Sequence, residues 1–271
     1  ISNADIFIPE IKTQKQIAGV LSTYDDLIEN NTKRIKILEE IAQVIFKEWF
    51  VYFRFPGHEK IKLVDSKTEF GKIPEGWEIV QMNKIADVID CLHSKKPENI
   101  RAGKNILLQL NNILDNGLVD LAEKYLLSND DYKKWTSRIE LKSGDCVVTN
   151  VGRIAAVAQM PEGIRAALGR NMTGIRPQKI PASFLIAYLL SPHMKMEVQR
   201  KTDSGAIMDA LNVKNIYLLE IIIPPANILN EFDDLVNPIR RLMNNLVAKN
   251  YVLRQARDLL LPKLVTGEIK V

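Results

Sequence analysis

The sequence of 271 residues contains little cysteine and histidine, with two cysteines and three histidines. Cys91 and Cys146 are far apart, so they provide neither a disulfide framework nor the close spacing of a thiolate metal site. His58, His93 and His193 are equally dispersed. We therefore expect no metal site and a reduced, cytoplasmic protein.

Long hydrophobic runs are also absent. No apolar stretch reaches the length needed to cross a bilayer, and the N-terminus lacks the charged-then-apolar pattern of a signal peptide. A hydrophobic content of 46% with 26% charged residues is ordinary for a folded globular protein. The composition therefore argues against a membrane partner and against disorder.

Catalytic motifs are missing as well. An amino-methyltransferase needs an acidic or amide residue, two prolines and an aromatic residue in a row, and the neighbours of Pro224-Pro225 do not fit. There is no phosphate-binding loop for ATP and no glycine-rich turn for a cofactor. Asp65, Lys67 and Glu69 suggest a nuclease only superficially, since a solvated charge run explains them better. The sequence predicts a protein without catalysis or cofactor of its own.

Positive charge is concentrated in one region. The formal net charge is only +4, but residues 150–201 hold eight basic and two acidic side chains, a local excess of +6. Such an excess indicates a polyanionic partner.

The strongest pattern is an internal repeat, in which Ile6–Phe50 aligns without a gap over Ile221–Val265. Each copy opens with a short apolar run, breaks at a proline and continues as a long helical pattern. The apolar register agrees better than the identities do. The repeat predicts two helices, at 13–54 and 226–271, the first of them roughly 60 Å long at 1.5 Å per residue.

Both helices carry a heptad seam that needs a partner along its length. We expect the two helices to pair with each other as an antiparallel coiled coil, with Asn31 and Asn250 fixing the register. The alignment also places Asp25 over Arg240 and Asp26 over Arg241, which suggests charge pairing between the helices or towards a partner. The residues predicted to pair the helices are Ile17, Leu21, Tyr24, Ile28, Asn31, Ile35, Leu38, Ile45, Leu246, Leu253 and Leu260.

The region between the helices has a different hydrophobic pattern. Across 73–225, short apolar runs are bounded by turn residues, as in strands, and one helical pattern runs from Pro181 to about Arg200. Residues 55–72 are polar and contain glycine and proline, which is typical of a linker. The predicted fold class is α+β, with one globular α/β domain between two long antiparallel coiled-coil helices.

Four segments together resemble the specificity subunits of Type I restriction-modification systems. They are LSTYDDLIENN at 21–31, FGKIPEGWEIVQMNKIADV at 70–88, SGDCVVTNVG at 143–152 and LLLPKLVTGEI at 259–269. The order and spacing of these segments carry the resemblance, which covers nearly the whole chain.

The resemblance implies a sequence-specific reader of double-stranded DNA that is not itself an enzyme. Such subunits carry two target-recognition domains, each reading half of a split site and each followed by a conserved helix. The helices dock modification subunits, which transfer a methyl group to adenine, and a restriction subunit joins the complex. S-adenosylmethionine and ATP are therefore expected on those partner subunits.

The sequence departs from this pattern because it has both helices but only one recognition domain, at 73–225. By the repeat, residues 1–12 correspond to the closing strand and entry segment of a second domain. We expect either the second half of a longer subunit or a half-subunit that pairs with another copy of itself.

The predicted DNA contacts lie in polar loops of the middle domain, because amides and cations there can reach base edges and phosphates. For any one of them, an ordinary polar turn is the competing interpretation. For the chain as a whole, the competing function is a coiled-coil adaptor that binds protein and reads no DNA. The predicted contacts are Ser94, Lys95, Lys96, Gln109, Asn111, Asn112, Asn150, Arg153, Arg170, Asn171, Lys201 and Ser204.

Overall fold

The computed structural model describes residues 9–202 and 210–271. Its helices are α1 (Ile11–Phe46), α2 (Asn129–Trp135), α3 (Ala182–Leu189), α4 (Pro192–Lys201), α5 (Val213–Tyr217) and α6 (Ala226–Val265). Its strands are β1 (Leu63–Asp65), β2 (Lys72–Pro74), β3 (Glu78–Gln81), β4 (Ala86–Asp90), β5 (Asn105–Leu108), β6 (Leu126–Leu127), β7 (Glu140–Leu141), β8 (Cys146–Thr149), β9 (Val157–Gln159), β10 (Ala166–Leu168), β11 (Met172–Pro177) and β12 (Glu220–Ile223).

The chain divides into two compact units. The paired-helix unit consists of Ile1–Leu38 and Asn245–Val271, and the globular unit is Glu39–Asn244. The predicted α+β class is confirmed, with 47% of the described residues helical and 18% in strands. Among the described residues, no helix combines the length and the apolar character needed to cross a membrane.

In the paired-helix unit, α1 and α6 run antiparallel. The side-chain amide of Asn31 donates a hydrogen bond of 2.9 Å to Oδ1 of Asn250. Asn250, which is only 3% exposed, also donates to Thr32 Oγ1 at 3.3 Å. About two helical turns from this asparagine pair, Asp25 forms an ion pair with Arg257. Partner numbers therefore fall along α6 as they rise along α1, which is the arrangement the repeat predicts.

The predicted seam residues are the less exposed positions of the two helices. Ile17, Ile35 and Leu246 are buried. The remaining seam positions are partly buried: Leu21, Tyr24, Ile28, Asn31, Leu38, Leu253 and Leu260. Ile45 belongs to the globular unit, where it packs partly buried against the core.

The predicted charge pairs are wrong. Asp25 contacts Arg257, whereas Arg240 and Arg241 make their hydrogen bonds and ion pair inside the globular unit. The reason is geometrical: aligning two repeats matches equivalent positions, but an antiparallel pair brings together positions that run in opposite directions. The predicted pairs Asp25–Arg240 and Asp26–Arg241 are therefore not formed.

The globular unit contains two four-stranded sheets among its described residues. One has the strand order β4-β11-β8-β9 and is antiparallel throughout. The other has the order β6-β5-β10-β7, and its central pair, β5 and β10, is parallel. Two antiparallel two-stranded sheets, β1-β2 and β12-β3, complete the strands.

An aromatic cluster joins the helices of the globular unit. Phe50 lies 4.9 Å from Phe232 and 5.0 Å from Phe184, measured between ring centroids, with the rings nearly perpendicular. Edge-to-face contacts of this kind add to the stabilisation that burial provides. Trp77 and Trp135 are both buried.

The first helix differs from its predicted bounds of 13–54. It begins at Ile11, ends as an α-helix at Phe46 and continues as a π-helical turn over Lys47–Val51. This turn buries both Trp49 and Phe50. The second helix ends at Val265 rather than 271, and Gly267 follows it with a φ of +75°.

Two other segments also differ from expectation. The single helix expected from Pro181 to Arg200 is two helices, because the Ser191 side chain caps α4 and Pro192 occupies its first position. The linker expected at 55–72 contains β1, which pairs with β2. Phe55 in the same stretch is 1% exposed, so this part of the expected linker packs into the core despite its polar neighbours.

We predict that Asn250→Ala lowers the free energy of unfolding by about 1–3 kcal/mol, since it leaves the partly buried Asn31 across the helix pair without its acceptor. Urea unfolding followed by circular dichroism measures this. The double variant Asn31→Ala/Asn250→Ala should lose less than the sum of the single losses, because the two residues share one hydrogen bond. Asn30→Ala, on the exposed neighbour, is the control and should stay within about 0.5 kcal/mol of the original. Additive losses would show that the hydrogen bond does not couple the helices.

Candidate nucleic-acid interface

The parallel pairing of β5 and β10 brings two loops together. Leu108 is in register with Leu168, so both strands end at the same edge of their sheet. The loop after β5 begins at Gln109 and the loop after β10 at Gly169. Two segments some sixty positions apart in the sequence therefore leave the sheet side by side.

Glycine is required where these loops meet. A Cβ atom at Gly169 would lie 2.0 Å from the carbonyl oxygen of Leu108, which is far inside van der Waals contact. In the same loop, Asn171 has a φ of +61°, a conformation that asparagine tolerates better than most residues. Local sequence thus permits the close approach of the two loops.

Side chains from both loops line an open cleft of about 310 Å³, here called the polar cleft. A third segment, which follows β4, contributes Lys96 to it. The lining consists of Lys96, Leu107, Gln109, Leu110, Asn111, Arg170 and Asn171. Five of these residues are among the twelve predicted DNA contacts, and they come from three separate parts of the sequence.

The cleft offers cations and amides to a ligand. Arg170, Asn111 and Asn171 are exposed. In the parts of the chain that the structure describes, Arg170 forms no ion pair. Lys96 lies with Nζ 4.0 Å from the ring centroid of Tyr125, which holds the ammonium group by a cation–π interaction. The cleft can therefore bind phosphate and hydrogen-bond base edges.

Gln109 and Asn112 use their side-chain amides for hydrogen bonds within the protein. The amide of Gln109 donates to the carbonyl oxygen of Leu108 at 3.1 Å. Asn112 is 2% exposed and donates to the carbonyl oxygens of Asp120 at 2.9 Å and Glu123 at 3.0 Å. The prediction that Asn112 contacts DNA is wrong, because its side chain is buried and fully used within the protein.

Asn150 and Arg153 also make internal bonds. Asn150 donates to the carbonyl oxygen of Leu211 at 2.8 Å and accepts from Thr173. Arg153 forms an ion pair with Asp115, so its predicted contact with DNA requires that pair to open. Both side chains hold loops in place in this structure.

Of the other predicted contacts that the structure describes, Ser94, Lys95 and Lys201 do not line the cleft. Ser94 is partly buried and Lys95 exposed, directly before Lys96. Lys201 lies at the end of α4, where its Nζ is 3.2 Å from Glu197. Ser204 lies outside the described residues.

The local excess of positive charge is largely neutralised by acids that are remote in sequence. Counting charges along residues 150–201 misses these partners, which fold against the segment. Lys201 pairs with Glu197 inside the segment, and four of the arginines pair with acids from elsewhere: Arg153–Asp115, Arg165–Glu140, Arg176–Asp145 and Arg200–Glu69.

The pair between Arg176 and Asp145 is structural. Asp145 is buried and accepts two hydrogen bonds from the Arg176 guanidinium, at 2.8 and 2.6 Å. These bonds raise the pKa of Arg176. A guanidinium held in this way serves the fold and not a ligand.

A second and larger cleft of about 590 Å³ shares Asn171 with the polar cleft. It contains the predicted Asn150 and three polar residues that the sequence analysis missed, Asn212, Lys214 and Asn215. The three polar side chains within 212–215, between apolar neighbours, are the signal that could have identified them. The two clefts meet at Asn171.

The chain is similar to curated specificity subunits of Type I restriction enzymes. It is 30% identical over 277 residues to the MjaIX specificity subunit and 26% identical over 282 residues to the MjaVIII specificity subunit, both of Methanocaldococcus jannaschii. It is 23% identical over 330 residues to the HindI specificity subunit of Haemophilus influenzae. These matches cover 99% or more of this chain and 62%, 63% and 70% of the respective relatives.

A solved structure shares the fold. The crystal structure of a Type I restriction-modification S subunit from M. genitalium superposes with a TM-score of 0.61 at 14% identity, over 94% of this chain and 61% of that chain. No protein-family model matches the sequence. The resemblance to Type I specificity subunits is confirmed, and the chain spans about 62% of the length of the first of these relatives.

We predict that Gly169→Ala destabilises the globular unit by about 1–3 kcal/mol, because the new methyl group collides with the Leu108 carbonyl and forces the two loops apart. Urea unfolding measures the loss. Gly19→Ala is the matched control, since a Cβ there meets nothing within 4 Å in the middle of α1. Helix propensity makes that control neutral or stabilising by up to about 1 kcal/mol. Equal stability of the Gly169 variant and the original would contradict the close approach.

Proposed function

We propose that this chain, similar along its whole length to Type I specificity subunits, reads one half of a bipartite site in double-stranded DNA. The observation that carries the proposal is the polar cleft, where one loop edge collects Lys96, Gln109, Asn111, Arg170 and Asn171. The names of the relatives agree with this function.

The chemistry of the cleft suits base recognition. An arginine can donate two hydrogen bonds to guanine, and an asparagine or glutamine can pair with adenine in the major groove. Arg170, Asn111 and Asn171 are the exposed residues of these types in the cleft. Lys96 suits a contact to a phosphate, which fixes the register of the duplex without reading a base.

We assign the paired-helix unit to assembly. The Type I relatives support modification subunits and a restriction subunit as its partners. In this proposal the chain catalyses nothing, and S-adenosylmethionine and ATP bind to those partners. Pairing with a second copy of this chain, or with a second recognition domain, would supply the other half-site.

The test is selection from a randomised duplex pool by the chain together with its cognate modification subunit, at two salt concentrations. The proposal predicts enrichment of a fixed half-site only when both proteins are present. A complex that retains DNA without sequence preference would contradict it, and so would the absence of DNA from a well-formed complex. Either result would favour the coiled-coil adaptor.

We predict that Arg170→Ala weakens binding to the selected duplex by about 1–3 kcal/mol and relaxes the preference at one base pair. Fluorescence anisotropy with the selected site and single-base variants measures both effects. Arg165→Ala removes the same charge from a side chain that pairs with Glu140 outside the cleft, and it should change neither. Equal losses in both variants would mean that only net charge matters.

We predict a different result for Lys96→Ala, because a phosphate contact carries no sequence information. Affinity should fall to a similar degree for every duplex, and the slope of log affinity against log salt should decrease by about one. A change in base preference with an unchanged slope would show that Lys96 contacts a base.

A further inference from the structure

Three potential metal ligands meet beside the second cleft, although the histidines are dispersed in the sequence. Asp90 ends β4, Cys91 follows it and His93 comes two positions later. One ligand atom from each of the three side chains lies within 4.8 Å of the other two. Nε2 of His93 is 2.7 Å from Oδ2 of Asp90. All three residues line the cleft of about 590 Å³.

We propose that Asp90, Cys91 and His93 bind one zinc-like divalent cation, with a water molecule from the cleft as the fourth ligand. A thiolate, an imidazole and a carboxylate are the donor set that zinc accepts in a tetrahedral site. Magnesium and calcium prefer oxygen ligands alone, so the sulfur selects against them. This site replaces the expectation that the chain has none.

Cys91 is buried, and burial raises the pKa of its free thiol because a lone thiolate is poorly solvated there. A cation replaces the proton and supplies the charge that burial would otherwise disfavour.

The other cysteine does not line the cleft. Cys146 is completely buried in β8, and burial raises the pKa of its thiol to about 12. Among the described residues, it belongs to no cluster of metal-ligating side chains. Cys146 is therefore the matched control for Cys91.

A neighbouring arginine limits the affinity. Nη1 of Arg138 donates to the carbonyl oxygen of Cys91 at 2.9 Å and lies 3.6 Å from Oδ2 of Asp90. Its positive charge opposes a second cation nearby. Removing that charge should therefore strengthen metal binding, an effect opposite to that of removing a ligand.

The site has a consequence for the proposed function. His93 immediately precedes Ser94, Lys95 and Lys96, and Lys96 lines the polar cleft. A cation on His93 and Asp90 would hold the start of this segment against β4. This consequence rests on the proposed DNA recognition, whereas metal binding itself does not.

The test is a titration of the reduced chain of residues 1–271 with Co²⁺, whose absorption reports sulfur ligation and tetrahedral geometry. We expect one equivalent to bind, with a near-ultraviolet sulfur-to-cobalt charge-transfer band and visible bands that Zn²⁺ abolishes by displacing the Co²⁺. No such band in the original chain would overturn the proposal, whatever the outcome for DNA binding.

Variants locate the site. Cys91→Ser should abolish the charge-transfer band, and Cys146→Ser should retain it. His93→Ala should weaken Co²⁺ binding more than about tenfold, while His58→Ala should not. Because the His93 side chain is 67% exposed, its loss should leave the fold intact, which circular dichroism checks. Arg138→Ala should bind Co²⁺ more tightly. Unchanged affinity in both Cys91→Ser and His93→Ala would place the metal elsewhere and overturn the assignment.

Discussion

The parallel pairing of β5 with β10 is the constraint on which the candidate interface depends. It holds Leu108 beside Leu168, and the close approach of Gly169 to the Leu108 carbonyl lets the two following loops lie side by side. Without this pairing, nothing in the sequence would bring Gln109 and Arg170 to the same cleft. The interface is thus a product of strand register, because each loop alone is only a polar turn.

The polar residues around the cleft divide into two groups with different roles. Asn112 and Asn150 use their amides on backbone carbonyls and keep the loops in shape. Asn111 and Arg170 are exposed and remain available to a ligand. A reader of DNA needs both groups, since an exposed side chain discriminates between bases only if its loop holds it in position.

Sequence periodicity predicted the helices well, because a heptad seam is a local pattern that one helix displays by itself. The pairing of Asn31 with Asn250 follows from it. The sequence also identified Arg170 and Asn171 as polar residues between apolar runs. It could not predict the burial of Asn112, the β5–β10 register or the pairing of Arg176 with Asp145, because each depends on a segment far away in the chain. The charge partner of Asp25 was missed for a related reason, since the repeat shows equivalence and not contact.

Site-specific photocrosslinking tests whether the polar cleft touches bases. A photoreactive residue would replace Asn111 or, as the control, Arg165, which is 71% exposed outside the cleft. Each variant would be assembled with the modification subunit on the selected duplex. We expect crosslinks from position 111 to bases within the enriched half-site and none from position 165. Crosslinks from 165 but not from 111, or from neither position in a complex that retains the duplex specifically, would contradict it.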